Sequence, residues 1–348
     1  MVWRNKPVSY ILLAIVVLFL SVAQLKSIIN NFDSQIGPQI QAAQGVVEGL
    51  PHWRIYQSRV LGPYMIRAVE GITGWSFQQS YALMMFVWLV IFFSVLIAVA
   101  LALWHSPIIA IGIAGSAAFI NTTLMQGLWL YPWDYLDLTL FTLITWAILS
   151  NKPLKIIALI IAVEIFNREA ATVIAGWLAL DALLELVLRR RVATEKQIKS
   201  AKQQLLVAVA LAIISQVIIE VLRATLLVRE IGPEIFSDVK SAGPHFEVQL
   251  WKNLTNLATA LPNISNLMVV YNIIFIAIPI LCIIGIRSTR RELNRISLLT
   301  LIMWALTLIF GLIYEVRVWL AFVPYLVLAA PQLLHSPQPH PSRNPVDG

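Results

Sequence analysis

Long apolar stretches are the feature that most constrains how this chain of 348 residues can fold. A transmembrane helix needs about 20 mostly apolar residues, and in hydrocarbon all backbone N–H and C=O groups must be bonded within the protein. The composition, 59% hydrophobic and 12% charged, agrees with a membrane environment, since soluble domains carry roughly 25% charge. The sequence predicts an all-α, polytopic transmembrane bundle of about ten helices, at about 8–28, 79–104, 108–128, 135–150, 154–166, 170–188, 204–227, 265–286, 296–313 and 318–334.

Lysine and arginine set the predicted orientation, because cytoplasmic loops carry an excess of both. With the N-terminus in the cytoplasm, most of the 25 lysines and arginines fall on the inner side, in short loops. We expect one transmembrane domain over residues 1–334, in the inner membrane of a bacterium, and a disordered, Pro-rich cytoplasmic tail over 335–348. The formal net charge of +7 reflects these loops and contact with anionic lipid, so we expect no nucleic-acid partner.

Two long outer loops are predicted, at about 29–78 and 228–264. In the first, Ile36, Ile40, Ala43, Val47 and Leu50 recur at helical spacing, which predicts an amphipathic helix in the membrane interface. A second short helix is predicted to start at Pro63, and Ser76 with Gln79 forms a capping box for the next span. The second loop carries a similar apolar stripe at 246, 250, 254, 257 and 261.

Four polar clusters interrupt or cap the apolar runs, and the predicted topology places all of them at the outer side. They are Trp133-Asp134, Asn167-Arg168-Glu169, Glu220 with Arg223, and Tyr314-Glu315-Val316-Arg317. Ionisable groups at membrane depth are costly, so they need partners, a water-filled cavity or a function. Arginines grip phosphate with two parallel hydrogen bonds, and carboxylates can act as general bases. The clusters therefore suit a site that handles a phosphate.

Each cluster also has a purely structural interpretation. Glu220 and Arg223 are three residues apart on one helix and can form a local ion pair. The charges at 315–317 can be solvated in a loop, and Trp133 can be an interfacial anchor as well as a sugar-stacking residue. Carboxylates at Asp134 and Asp137 complement the dipole of a helix that begins there. For Arg168-Glu169 the alternatives are a functional site and a buried structural pair.

Three short motifs resemble elements of GT-C-type membrane glycosyltransferases, which use polyprenyl-phosphate-linked sugars. The stretch 53–63 (WRIYQSRVLGP) is similar to a YxxRxLxP element in the first outer loop, 167–169 is similar to an NRE element, and 315–317 to an ExR element. The resemblance implies a catalytic carboxylate just after the first membrane helix. Asp33 is the matching position and Glu48 the second choice.

The resemblance also implies a role for the other polar residues. Arg59, Arg168 and Arg317 would bind the donor phosphate, and Glu169 and Glu315 would orient these arginines. Tyr56, Trp133 and Asp134 would complete the substrate site. The expected partner is a membrane lipid, a polyprenyl-phosphate sugar. No Cys/His cluster has the spacing of a metal site, and no cofactor is expected. A divalent metal is left open.

Two other classes of function fit parts of the same pattern. A transporter or flippase of a lipid-linked anion would need the arginines but no base; no inverted repeat or matching pair of broken helices is visible in the sequence. A non-catalytic membrane subunit would need neither, and the polar clusters are the feature that argues against it.

Overall fold

In the computed structural model the described residues are 6–49, 59–124, 133–188, 194–226, 248–260, 268–311 and 317–333. Within these ranges the protein is all-helical, as predicted, and contains no strand. The elements are α1 (Lys6–Glu48), α2 (Leu61–Thr73), α3 (Phe77–Trp104), α4 (Pro107–Leu124), α5 (Asp134–Leu149), α6 (Leu154–Glu164), α7 (Ala170–Leu188), α8 (Glu195–Leu226), α9 (Leu250–Ala260), α10 (Met268–Ile286), α11 (Arg291–Phe310), α12 (Arg317–Leu320), a π-helical segment (Tyr325–Ala329) and α13 (Ala330–Leu333).

Five of the described helices contain stretches long and apolar enough to cross a membrane. These are Tyr10–Asn31, Phe77–Trp104, Ala170–Val187, Glu195–Leu226 and Arg291–Phe310, and Pro107–Thr123 and Ile276–Ile286 are shorter apolar helices. Large apolar side chains such as Phe19, Ile108 and Phe119 are exposed on the outside of these helices. Side chains of this kind face lipid tails in a bilayer, so the features are those of a multi-pass integral membrane protein.

Helix α1 is longer than the sequence predicted. The predicted span at 8–28 and the predicted interfacial helix after residue 36 are one continuous helix of 43 residues, about 64 Å long and twice the thickness of the hydrocarbon core. Its buried residues lie on one stripe, which includes Val17 and Ile28 before the expected break and Ile40 and Ala43 after it. The apolar stripe therefore packs against the bundle, and Pro38 lies inside the helix instead of in its first turn.

The connection between α2 and α3 agrees with the prediction. Helix α2 begins at Leu61, two residues before the predicted start, and ends at Thr73, which is followed by Gly74 with a positive φ of 71°. Ser76 caps α3: its side chain accepts a hydrogen bond from the Gln79 backbone, and the Gln79 side chain accepts one from the Ser76 backbone. This reciprocal pair satisfies two N–H groups at the start of α3.

Helix α5 is the central element and carries the polar residues of interest at its start. Apolar side chains occur all round it, and almost every residue between Asp134 and Leu149 is buried, as expected for a helix surrounded by others. The ring of Tyr135 packs 6.2 Å from that of Phe92 on α3. The chain then returns along α6, so the start of α5 and the turn between α6 and α7 lie at the same end of the bundle.

Candidate functional site

The turn that joins α6 to α7 carries the predicted NRE motif. Helix α6 ends at Glu164, whose carbonyl accepts hydrogen bonds from the backbone N–H groups of Asn167 and Arg168 at 2.9 and 2.7 Å. The Asn167 side chain donates to the Glu164 carboxylate at 3.3 Å. Glu164 and Asn167 are each 1% exposed, so these polar groups are held inside the protein by one another.

Arg168 forms an ion pair with Asp137 on α5. The guanidinium Nη1 contacts Asp137 Oδ2, and the side chains are 15% and 1% exposed. The sequence explained Asp137 by the dipole of its helix, which holds for its position in the first turn but misses its partner. Breaking a buried ion pair by removing one member typically costs about 3–5 kcal/mol, so this contact fixes the α6–α7 turn against α5.

Arg59 forms the second ion pair of the site, with Glu169. Its Nη2 lies 3.3 Å from Glu169 Oε2, and Arg59 is 8% exposed. A backbone hydrogen bond of 2.9 Å from Leu61 N–H to the Phe166 carbonyl supports this contact. The segment that precedes α2 is therefore attached to the α6–α7 turn, which lies over a hundred residues away in the chain.

Trp133 joins this segment to α5. A Cβ atom added to Gly62 would lie 2.6 to 2.9 Å from the Trp133 side chain, so the backbone of α2 contacts that side chain directly. Trp133 is buried, as is the Asp134 carboxylate, which interacts electrostatically with the hydroxyl of Tyr81 on α3. Three distant parts of the chain thus form one arginine–carboxylate cluster, made of Arg59, Asp137, Glu164, Asn167, Arg168 and Glu169, with Trp133 and Asp134 beside it.

A second carboxyl group lies next to the ion pair of Arg168 with Asp137. The Glu164 side chain interacts electrostatically with both members of that pair and accepts a hydrogen bond from Asn167. Arg168 therefore has two buried carboxyl groups beside it, one on α5 and one at the end of α6.

An open groove of about 590 Å³ lies between α1, the end of α2 and the start of α3. Its wall on α1 contains Ile36, Gly37, Ile40, Gln41 and Gln44, and the opposite wall contains Glu70 and residues 76–78. Positions 33, 37, 41, 44 and 48 share one face of a helix with 3.6 residues per turn, so the two predicted bases occupy register positions at either end of this wall.

The structure brings together five of the ten predicted site residues. Arg59, Trp133, Asp134, Arg168 and Glu169 all lie at the cluster. Glu48 does not: it is exposed at the end of α1, where its carboxylate accepts a 2.7 Å hydrogen bond from Gln44.

Four predicted residues lie wholly or partly outside the described parts of the chain. Tyr56 and Glu315 lie outside the described residues, and at Asp33 and Arg317 the backbone alone is described. In the fourth polar motif, Glu220 is exposed on α8 and accepts a hydrogen bond from Gln216 at 3.1 Å, while the Arg223 side chain is outside the description.

Sequence reasoning missed two members of the site, and a signal was available for each. Asp137 lies three residues after Asp134, on the same face of α5. One carboxylate is enough to complement the helix dipole, so the second carboxylate indicated another partner. Glu164 ends an apolar run one turn before Arg168. The link from Gln39 on α1 to Tyr81 on α3, a 3.3 Å hydrogen bond, had no signal because the residues are 42 positions apart.

No protein-family model, curated protein or solved structure matches this chain. Across the described ranges, no three His, Cys, Asp or Glu side chains are arranged to hold a metal ion.

Proposed function

We propose that this protein is a GT-C-like glycosyltransferase that takes a sugar from a polyprenyl-phosphate-linked donor at the outer face of a bacterial inner membrane. The proposal includes about ten membrane crossings with both termini in the cytoplasm. The observation that carries it is the convergence of Arg59 and Arg168, from two separate motifs, on a single cluster at one end of the bundle.

The arginine geometry suits a phosphate bound beside carboxylates. Each guanidinium has five N–H donors in a fixed fork, and each contacts its carboxylate through one terminal nitrogen. Glu169 and Asp137 hold the two forks in position before any substrate arrives. Groups oriented in advance toward developing charge are the largest single source of stabilisation in many enzymes.

The proposed reaction assigns one step to each group. The Asp33 carboxylate takes the proton of the acceptor hydroxyl, and the acceptor oxygen forms a bond to the anomeric carbon of the sugar. The bond from that carbon to the phosphate oxygen breaks, and its electron pair leaves on the polyprenyl phosphate, whose charge Arg59, Arg168 and Arg317 bind. The open groove along the Asp33 face of α1 would seat the acceptor.

Helix α1 gives Asp33 a fixed backbone on the wall of the bundle. Nine residues earlier, Gln24 donates a hydrogen bond of 3.4 Å to Thr122 on α4, and six residues later Gln39 accepts from Tyr81 on α3. The helix is therefore held on both sides of Asp33, which is the condition a positioned base requires.

The test separates transfer from binding with the full chain in nanodiscs. Transfer is the release of polyprenyl phosphate from a panel of polyprenyl-phosphate hexoses mixed with acceptor extract, and binding is measured with farnesyl phosphate. We expect Asp33→Asn to lower transfer by at least about 10²-fold and to leave binding nearly unchanged, because it removes proton affinity alone. Arg168→Ala should lose both activities, and Arg168→Lys, which keeps the charge and loses the fork, should weaken both.

Two controls make the result specific. Arg67→Ala removes an exposed arginine paired within α2 to Glu70 and should change neither activity. Glu48→Gln tests the second candidate base. If Asp33→Asn and Glu48→Gln both keep full transfer, this face of α1 holds no base, and a transporter of a lipid-linked anion becomes the preferred function.

A further inference from the structure

A second polar pocket lies at the opposite end of α5 from the arginine–carboxylate cluster. Its volume is about 300 Å³, and it is formed by the turn between α5 and α6 and by parts of α7, α8 and α11. Helix α5 has 16 residues, so about 24 Å separates its two ends. This pocket is therefore not part of the proposed donor site. It is lined by Asn151, Lys152, Pro153, Leu154, Ile157, Leu178, Ser200, Gln203, Gln204, Arg291 and Arg295.

All charged residues that line this pocket are cations. Lys152 lies with its Nζ 4.6 Å from the centre of the Trp146 ring, and among the described residues no carboxylate is within ion-pair distance of it. Arg295 is partly covered by Trp177, at 5.7 Å from the ring centre, and its side chain is 12% exposed. Arg291 is more open, at 45%.

The carboxylates nearby hold the cations in place but do not line the pocket. Asp181 contacts Arg295 through two nitrogens, at 2.8 and 3.0 Å, and accepts a third hydrogen bond from Gln204. Glu185 contacts one Nη of Arg291. Each guanidinium has five donors, so N–H groups remain on both arginines after these contacts.

The neutral residues of the lining add further donors. The Asn151 side chain donates to Glu292, which does not line the pocket, at 2.6 Å, and Ser200 and Gln203 on α8 complete the lining. A cavity lined by three cations, the Ser200 hydroxyl and the Gln203 amide, with no carboxylate in its lining, matches the chemistry of a phosphate oxygen cage.

We propose that this pocket binds a phosphate group, and that the group belongs to the headgroup of an anionic phospholipid in the leaflet opposite the donor site. Lys152 supplies a charge that no carboxylate among the described residues pairs with, and Arg291 and Arg295 supply oriented forks. Basic pockets between membrane helices on the cytoplasmic side are recognised sites for anionic headgroups, and an apolar exterior of α7 and α8 beside the pocket leaves room for acyl chains.

The probe is short-chain phosphatidylglycerol, with short-chain phosphatidylcholine and inorganic phosphate as comparisons, added to the full chain in neutral detergent. Binding is measured by titration calorimetry and native mass spectrometry. We expect Lys152→Gln to weaken phosphatidylglycerol binding about tenfold, because one charge-assisted contact is lost. Lys152→Arg should retain binding. Lys155→Gln is the matched control, since Lys155 is an exposed lysine three residues away that does not line the pocket.

Comparison of the three added compounds distinguishes a lipid phosphate from a soluble one. Tight binding of phosphatidylglycerol with no displacement by inorganic phosphate supports the lipid headgroup, and equal affinity for inorganic phosphate assigns the pocket to a soluble phosphate compound instead. The proposal fails if phosphatidylcholine binds as well as phosphatidylglycerol, or if Lys155→Gln loses as much as Lys152→Gln. It also fails if Lys152→Gln and Arg291→Gln, each with an unchanged melting temperature, bind like the parent chain.

Discussion

Buried charge at the arginine–carboxylate cluster is arranged in ion pairs. Arg59 faces Glu169, and Arg168 faces Asp137. An isolated charge at this depth would cost several kcal/mol, whereas a paired and hydrogen-bonded one is tolerated. The cluster is therefore stable without a ligand.

The ion pair of Arg168 with Asp137 leads to a prediction at the scale of single residues. Asp137→Asn keeps the shape of the side chain and removes the charge opposite Arg168, so we expect it to cost about 3–5 kcal/mol of unfolding free energy. Denaturant unfolding in detergent of Asp137→Asn, Arg168→Ala and the double variant, read as a double-mutant cycle, measures the interaction. Additive costs would mean that the two side chains do not interact.

Among the elements, α2 is the one whose docking decides whether Arg59 reaches the cluster. Its first turn rests directly on Trp133, and its backbone is bonded to the α6–α7 turn through Leu61. Glycine at position 62 allows this approach because any Cβ there would overlap the Trp133 side chain. A motif that the sequence presents as YxxRxLxP thus includes a glycine whose role is a close contact between helices.

Two glycines of α2 give a matched pair of variants. Gly62→Ala should destabilise the protein by about 1–3 kcal/mol and weaken farnesyl phosphate binding, because the new methyl group must displace either α2 or Trp133. Gly71→Ala should stabilise it by about 0.5–1 kcal/mol, since no atom lies within 4 Å of the added Cβ and alanine is the better helix former. Thermal unfolding of both variants tests the expected opposite signs. A Gly62→Ala protein as stable as the parent would contradict the contact.

In the whole molecule, the two polar sites occupy opposite ends of α5 and α6. Asp134 and Glu164 lie at one end, and the turn at 151–153 lies at the other, next to the polar pocket lined by Lys152, Arg291 and Arg295. The buried apolar core, which includes Phe92, Phe93 and Tyr135, separates them. This separation fits a protein with one site facing each membrane surface.

The orientation in the membrane is the prediction that belongs to this scale. Reporter fusions after Lys199 and after Arg291 should report the cytoplasm, because the positive charge is concentrated there, and a fusion after Glu48 should report the outer side. A control fusion within α3, near Phe92, should report neither side cleanly. If the fusions at Glu48 and Lys199 report the same side, the assignment of the cluster to the outer face is wrong.

Local patterns in the sequence were enough to predict many of the elements. The apolar runs predicted the all-helical class, and five of the described helices are long and apolar enough to cross a membrane. The Ser76–Gln79 capping box was confirmed to the residue, because capping depends on atoms three positions apart. The break predicted after residue 28 was wrong, since the backbone continues as one helix from Lys6 to Glu48.

What the sequence determined by itself was the all-helical class, the apolar surface and the set of polar motifs, since each follows from composition or from spacing within one helix. What only the tertiary structure decided was which motifs meet. Arg59 and Glu169 are 110 positions apart, and Arg168 and Asp137 are 31 apart, so no local pattern could pair them. The pairing arises because packing around α5 brings distant helix ends together, where buried charges must find partners.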